Sequence, residues 1–339
     1  MKRRFGFAAA AFALAATSAL AADRALIDAA KKEGQVVWYT TQIVNQFVDP
    51  AAKAFEKNYG IKVTYVRTGS SEGLLRVINE AKAGAVQADA IDGTGMASLV
   101  KAGLALKWQP DSAKRLPPQY LDRNGYWTAT NLYVRVSAFN TDLVPRGTEP
   151  RTYEDLLNPK WKGKMVWAVG PDPTSVPGFV GIVLREMGQD KGLNYLKALA
   201  AQRITPLAVS PRQVVDQTMA GEFAIAVHVN NSHVTISRQQ GAPVEWIPMQ
   251  PSIGIFSIIA AVKDSPHPNA GKLLIDYLVS REGQELYAAA DYLPVDPEVP
   301  PRDPTLRPDG VKWRAHYIMP DEVQETVSGW YKLYQELFR

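Results

Sequence analysis

Gln35-Val36-Val37-Trp38-Tyr39-Thr40-Thr41-Gln42 decides the fold: a short β-type run opens into polar residues, and residues 47–57 then carry apolar side chains at helical spacing. This is strand, loop, helix. Ile61-Lys62-Val63-Thr64-Tyr65-Val66 alternates as a second strand, Thr68-Gly69-Ser70-Ser71 is a turn, and Leu74, Leu75, Ile78 and Ala81 share a helix face. Ala88-Asp89-Ala90-Ile91-Asp92 leads through Gly93-Thr94-Gly95 into a third helix over 97–102. Such repetition predicts an α/β fold in which helices cover a parallel sheet.

Outward from that stretch, 339 residues that are 46% hydrophobic supply core for two ordinary domains. With no cysteine, disulfides, thiolate metal sites and cysteine nucleophiles are excluded. Lys2, Arg3 and Arg4 precede an Ala-rich apolar run that ends at Ala19-Leu20-Ala21, the pattern of a cleaved secretory signal peptide over residues 1–21. The run is too short for a spanning helix, and no later stretch is long enough. Losing the three basic residues lowers the formal charge from +4 to +1, which removes any electrostatic case for nucleic acid. An exported protein of a bacterial periplasm is expected.

The run Tyr133-Val134-Arg135-Val136-Ser137-Ala138-Phe139-Asn140 precedes breaks at Pro145, Gly147 and Pro150 and reads as a crossover into a second lobe. A second α/β set follows, with strands over 164–169 and 223–229 and helices over 179–187 and 192–201. The β-branched residues 253–262 carry the chain back. Two crossovers predict a clamp: lobe 1 over 22–131 and 255–300, lobe 2 over 135–250, and a tail over 301–339 of loop and one or two helices packing on the lobes.

Several motifs compete for chemistry. Gly69-Ser70-Ser71-Glu72-Gly73 matches the G-x-S-x-G elbow of serine hydrolases, with Ser71 as nucleophile and four histidines downstream. Only one strand precedes it, whereas that elbow normally follows several. A helix start with Ser70 and Ser71 is also an anion site through its N–H groups and dipole. Gly93-Thr94-Gly95 is one residue short of a dinucleotide fingerprint and reads as a tight turn or a loop near a solute. Arg135 at the crossover suits bidentate capture of a carboxylate or phosphonate, and Arg212 before a helix is a lesser candidate. His228, Asn230, Asn231, Ser232 and His233 gather polar atoms at a strand end.

Three segments together carry a resemblance: Thr152-Tyr153-Glu154-Asp155-Leu156-Leu157-Asn158-Pro159-Lys160-Trp161-Lys162-Gly163-Lys164, the helix from Ile275 to Gln284 followed by Tyr292-Leu293-Pro294-Val295, and Val37-Trp38-Tyr39-Thr40 with Thr68-Gly69-Ser70-Ser71. The chain resembles bacterial extracellular solute-binding proteins of family 1, in the branch of the ferric-ion-binding proteins. The resemblance implies a two-lobed periplasmic binding protein-like fold of type II, with an interlobe ligand cleft. It also implies hinge closure on a solute and delivery to an ABC permease of the inner membrane, by a monomer with no catalytic step. Ferric-binding relatives hold the metal with consecutive tyrosines, and here the corresponding stretch is Asn230-Asn231-Ser232-His233-Val234. Val234 has no oxygen to offer a hard ion. The expected solute is therefore a small organic anion, such as a phosphonate, phosphate ester or carboxylate, with no cofactor. The expected contacts are Thr40, Thr41, Ser70, Ser71, Thr94, Arg135, Thr174, Ser175 and Asn230. The alternatives are Fe³⁺ or a ferric chelate held with Tyr39 or His233, and an exported serine hydrolase using Ser71.

Overall fold

The computed structural model describes residues 19–95, 97–169, 176–250, 252–308 and 313–338. Residues 1–18 of the expected signal segment, and both Thr174 and Ser175, lie outside the described residues. The first lobe opens with α1 (Ala19–Glu33), then β1 (Gln35–Thr40), α2 (Asp49–Tyr59), β2 (Lys62–Arg67), α3 (Ser70–Lys82), β3 (Ala90–Gly93) and the short α4 (Ala97–Lys101). β1 pairs parallel with β2 and β3, as the repeated strand-loop-helix pattern predicts. Alternation along β1 puts Val36 and Trp38 into one core and Tyr39 into another, so helices cover both faces of the sheet.

The long β4 (Thr128–Asn140) then crosses over; it is buried throughout. Beyond it come β5 (Met165–Ala168), α5 (Val176–Met187), α6 (Gln189–Ala200), β6 (Thr205–Leu207), α7 (Pro211–Met219), β7 (Ile225–Asn230), α8 (Asn231–Gln239) and β8 (Val244–Ile247). The return strand is β9 (Ser252–Ala261), followed by α9 (Pro268–Val279), α10 (Arg281–Ala289), β10 (Leu293–Pro294), β11 (Ala315–Ile318) and α11 (Pro320–Phe338).

Hydrogen bonds link the strands into one mixed sheet with the main path β2-β1-β3-β9-β4-β7-β5-β6. β4 and β9 make this continuity. The amino-terminal half of β4 pairs antiparallel with β9, and its carboxy-terminal half pairs with β7 and β8. The other end of β9 pairs with β3. Two extended segments thus join two layered halves, one built around Trp38, Phe47, Phe55 and Tyr277 and the other around Trp167, Phe179 and Leu196.

Two features depart from the sequence reading. The tail contains a strand as well as a helix, since β11 pairs parallel with β9 from Ala315 opposite Ser252 to Ile318 opposite Ile255. It ends in one helix, and Trp330 of α11 packs so closely on Gly181 of α5 that a Cβ there would collide with the indole. The sheet is also mixed, because the crossover strands run antiparallel to their neighbours.

Candidate functional site

The strand ends converge. An inner pocket of about 90 Å³ is lined from the loop after β1 (Thr41), the β2–α3 junction (Arg67, Thr68, Gly69, Ser70), the loop after β3 (Thr94), β4 (Tyr133, Arg135), the start of α7 (Ser210, Pro211, Arg212) and the β7–α8 junction (Asn230, His233). Apart from those of β4, these residues follow the carboxy-terminal edges of strands or begin helices, the place where α/β folds hold ligands. Both halves of the chain contribute.

Register explains why Arg135 and Asn230 meet. They are direct partners in the β4–β7 ladder, and Tyr133, two residues earlier on β4, shares the face of Arg135. Between Val136 and Ala138 the register shifts by one residue, and the extra residue lies in β7 where His228 has φ of 64°. This is a β-bulge, which re-aims the end of β7 toward the pocket.

Positive charge dominates the pocket. The Arg67 side chain is exposed and makes no ion pair or hydrogen bond among the described residues, while Arg135 is buried. Arg212 is bound on one side by Asp216, at 2.9 Å from Nε to Oδ1, and its Nη1 donates to the His233 carbonyl at 3.4 Å. Burial first, then the fields of Arg212, Arg135 and Arg67, holds His233 well below the ordinary histidine value. Its Nε2 faces Asn230 Nδ2 at 3.5 Å, and its buried Nδ1 and Asn230 Oδ1 have no hydrogen-bond partner among the described residues. Buried polar atoms are seldom left so.

Hydroxyl chemistry separates the threonine and serine candidates. Ser70 Oγ accepts from the Gly95 amide at 3.0 Å, which ties two loops together and leaves the hydroxyl proton to donate into the pocket. Thr41 is different. Its Oγ1 donates at 2.7 Å to Asp92 Oδ1, so it presents lone pairs to the cavity. Asp92 also accepts from Trp38 Nε1 and the Thr41 amide, and burial pushes its carboxyl above the usual range against these bonds.

Of the expected contacts, Thr41, Ser70, Thr94, Arg135 and Asn230 are brought together, with the lesser candidate Arg212. Thr40 is not among them. It is the last residue of β1, fully buried, and its Oγ1 accepts from the Gln42 amide, so the strand's alternation seals it while Thr41 faces the cavity. Ser71 lines a larger outer cavity. Among the described residues Ser71 makes no hydrogen bond to a histidine; His267 is held by Asp89, His316 by Glu186 and His233 by Asn230, and His228 lies against Phe179. Tyr39 and His233 do not share a cavity. Tyr39 sits in the first-lobe core, where burial first, and then its hydroxyl's donation to Glu80 at 2.6 Å, push the phenol up to about 12. Among the described residues no group of three or more His, Asp or Glu is placed to hold a metal ion.

Arg67, Thr68, Tyr133 and Ser210 escaped the sequence reading. Arg67 carried a usable signal, since it stands between a strand end and a helix start, where backbone and charge act on one anion.

The family described as bacterial extracellular solute-binding protein matches residues 89–314. A putative 2-aminoethylphosphonate-binding periplasmic protein of Salmonella typhimurium is 24% identical over 311 residues, 88% of this chain and 82% of the relative. An Fe(3+)-binding periplasmic protein of Serratia marcescens is 28% identical over 175 residues, half of each chain. Among solved structures, the periplasmic binding protein AfuA of Actinobacillus pleuropneumoniae, with fructose-6-phosphate bound, superposes with a TM-score of 0.75 at 22% identity, covering 90% of this chain and 98% of that one. Two-lobed type II architecture is thus common to this chain and its structural neighbours. The family match spans well over half of the sequence, and the protein belongs to the bacterial extracellular solute-binding proteins.

Proposed function

We propose that this chain is the periplasmic solute-binding subunit of an ABC importer and that its inner pocket holds the anionic group of a small phosphonate, phosphate ester or carboxylate. One observation carries the reading: Arg67, Arg135 and Arg212 converge with the starts of α3, α7 and α8 on one pocket. A guanidinium fork matches an oxyanion bidentately, and helix starts add aligned N–H groups. The phosphonate and sugar phosphate in the relatives' names agree with this chemistry.

In this reading lobe 1 comprises 22–131 and 255–300 and lobe 2 comprises 135–250, with β4 and β9 as the hinge. Closure couples to solute because contacts from both lobes form together only when the cleft is shut. Recognition is the whole task, and no residue is assigned a catalytic role. Export by a cleaved signal peptide, a monomeric state and docking to an inner-membrane permease complete the proposal. No helix among the described residues is long and apolar enough to cross a membrane.

Calorimetric titration of a phosphonate, phosphate ester and carboxylate panel tests the reading. Hydrogen bonds to charged groups contribute about 1.5–3 kcal/mol each, so Arg135→Ala is expected to cost about 100-fold in affinity and the exposed Arg67→Ala about tenfold. Unchanged affinity in both variants overturns the pocket assignment. Ferric binding, the function named for the Serratia relative, is the competing outcome. It would appear as phenolate charge-transfer colour on addition of Fe³⁺.

A further inference from the structure

The inner pocket adjoins the outer cavity, about 890 Å³, and the two share the lining residues Arg67, Gly69, Ser70, Ser210 and Pro211. A water molecule occupies about 30 Å³ in the liquid, so the inner pocket is of the size of an oxyanion head group and the outer one of a much larger body. Their walls differ in kind. On the second-lobe side the outer cavity is faced by Ala168, Val169, Ala208, Val209 and Pro211, which have no polar side-chain atom, and by Ser210 and Gln213, whose hydroxyl and Oε1 are bonded to each other. From the first lobe Leu75 projects with 56% exposure, one of two exposed large hydrophobic side chains among the described residues.

Charged groups on the first-lobe wall are already engaged. Arg76 Nε donates to Glu80 Oε1 at 3.0 Å, and the same oxygen accepts from the Tyr39 hydroxyl. Glu72 accepts from the Gly69 amide at 3.4 Å. That leaves Arg67 at the mouth of the inner pocket as the wall's unengaged charge. A polyol body would lose water against Ala168, Val169, Ala208, Val209 and Pro211 without gaining partners there, whereas an alkyl body would bury apolar surface against that wall and against Leu75, the large apolar side chain among the polar first-lobe residues.

We infer that the solute is amphipathic, with an oxyanion head on the arginines and an apolar, alkyl-like body lying in the outer cavity between Leu75 and the second-lobe wall. The inference rests on the anion reading above and narrows it to a substrate class. The shared walls at Ser70 and Pro211 set the two cavities side by side, within reach of one molecule.

Titration of the mature chain with methyl-, butyl- and octylphosphonate and with a hexose phosphate tests it. Affinity is expected to rise about three- to fourfold per added methylene from methyl to butyl, and hexose phosphate to bind more weakly than butylphosphonate. Leu75→Ser, a change at an exposed helix position, is expected to lower octylphosphonate affinity severalfold and to leave methylphosphonate within twofold. Flat affinity along the series with methylphosphonate still bound, or tighter binding of hexose phosphate, overturns this inference and leaves the anion reading standing. Failure of every phosphonate and of the hexose phosphate to bind overturns both.

Discussion

α3 and α7 both aim a first turn at the cleft, one from each lobe, but they satisfy that turn by different chemistry. α7 is self-contained. Ser210 Oγ accepts from the Gln213 amide and donates to Gln213 Oε1, which also accepts from the Ser210 amide, and Pro211 has no N–H to satisfy. α3 starts at Gly69, which has no capping side chain; Glu72 reaches back to the Gly69 amide, and the Ser70 hydroxyl accepts from Gly95. The first-lobe start therefore keeps a hydroxyl proton for the solute, whereas the second-lobe start has used its own. What the second lobe offers instead is the guanidinium of Arg212 and the amide of Asn230.

The largest expected effect breaks this comparison if it fails. Ser70→Ala removes a donor aimed at an ionised group, worth about 1.5–3 kcal/mol, so anion affinity should fall by at least about tenfold in a calorimetric titration. The Gly95 amide loses its acceptor as well, so the loop after β3 should exchange amide hydrogen faster. A variant that binds as the wild type does would mean that Ser70 only ties loops together.

Next in size is a pH effect at the third helix start, α8. His233 is held neutral in the folded chain, while the unfolded chain takes up a proton below about pH 6.5. With the folded value depressed, the stability contributed is complete above pH 6.5 and is lost as pH falls below it. A bound anion opposes the field of the three arginines and so favours protonation of His233. Methanesulfonate, which does not titrate in this range, should therefore bind more tightly as pH falls from 7.5 to 5.5, and His233→Gln should abolish the difference. A flat wild-type profile would show that the imidazole stays neutral in the complex.

The same contrast shows what could be read from sequence. Strand-loop-helix punctuation is local, so the loops after β1, β2 and β3 and the cluster after β7 were legible, and they deliver Thr41, Ser70, Thr94 and Asn230 to one pocket. Long-range register was not. Nothing near His228 announces that β7 carries an extra residue opposite β4, and nothing near Ala315 announces a partner at Ser252. Two adjacent threonines look alike in sequence, and it is the structure that buries Thr40 and sets Thr41 at the cavity. Tyr133 was hidden within an apolar run, and its hydroxyl donates at 2.9 Å to the buried Gln42, a partner 91 residues away.

The smallest expected effect sharpens the comparison from the other side. Ser210→Ala removes an N-cap whose hydroxyl is spent within its own turn, so the loss belongs to stability: about 1 kcal/mol, by the usual worth of such caps. In a chain of this size that is a fall of roughly 2 °C in melting temperature, measurable by calorimetry of the unliganded protein. Anion affinity should stay within twofold, because the variant keeps Pro211, Arg212 and the backbone path of α7. Ser70→Ala should give the reverse pattern, weaker binding with little change in melting temperature, because Ser70 lies at N1 of α3 and is not its cap. If both serines moved binding and stability together, the two jaws would be equivalent, and the asymmetry drawn from their hydrogen bonds would have no functional weight.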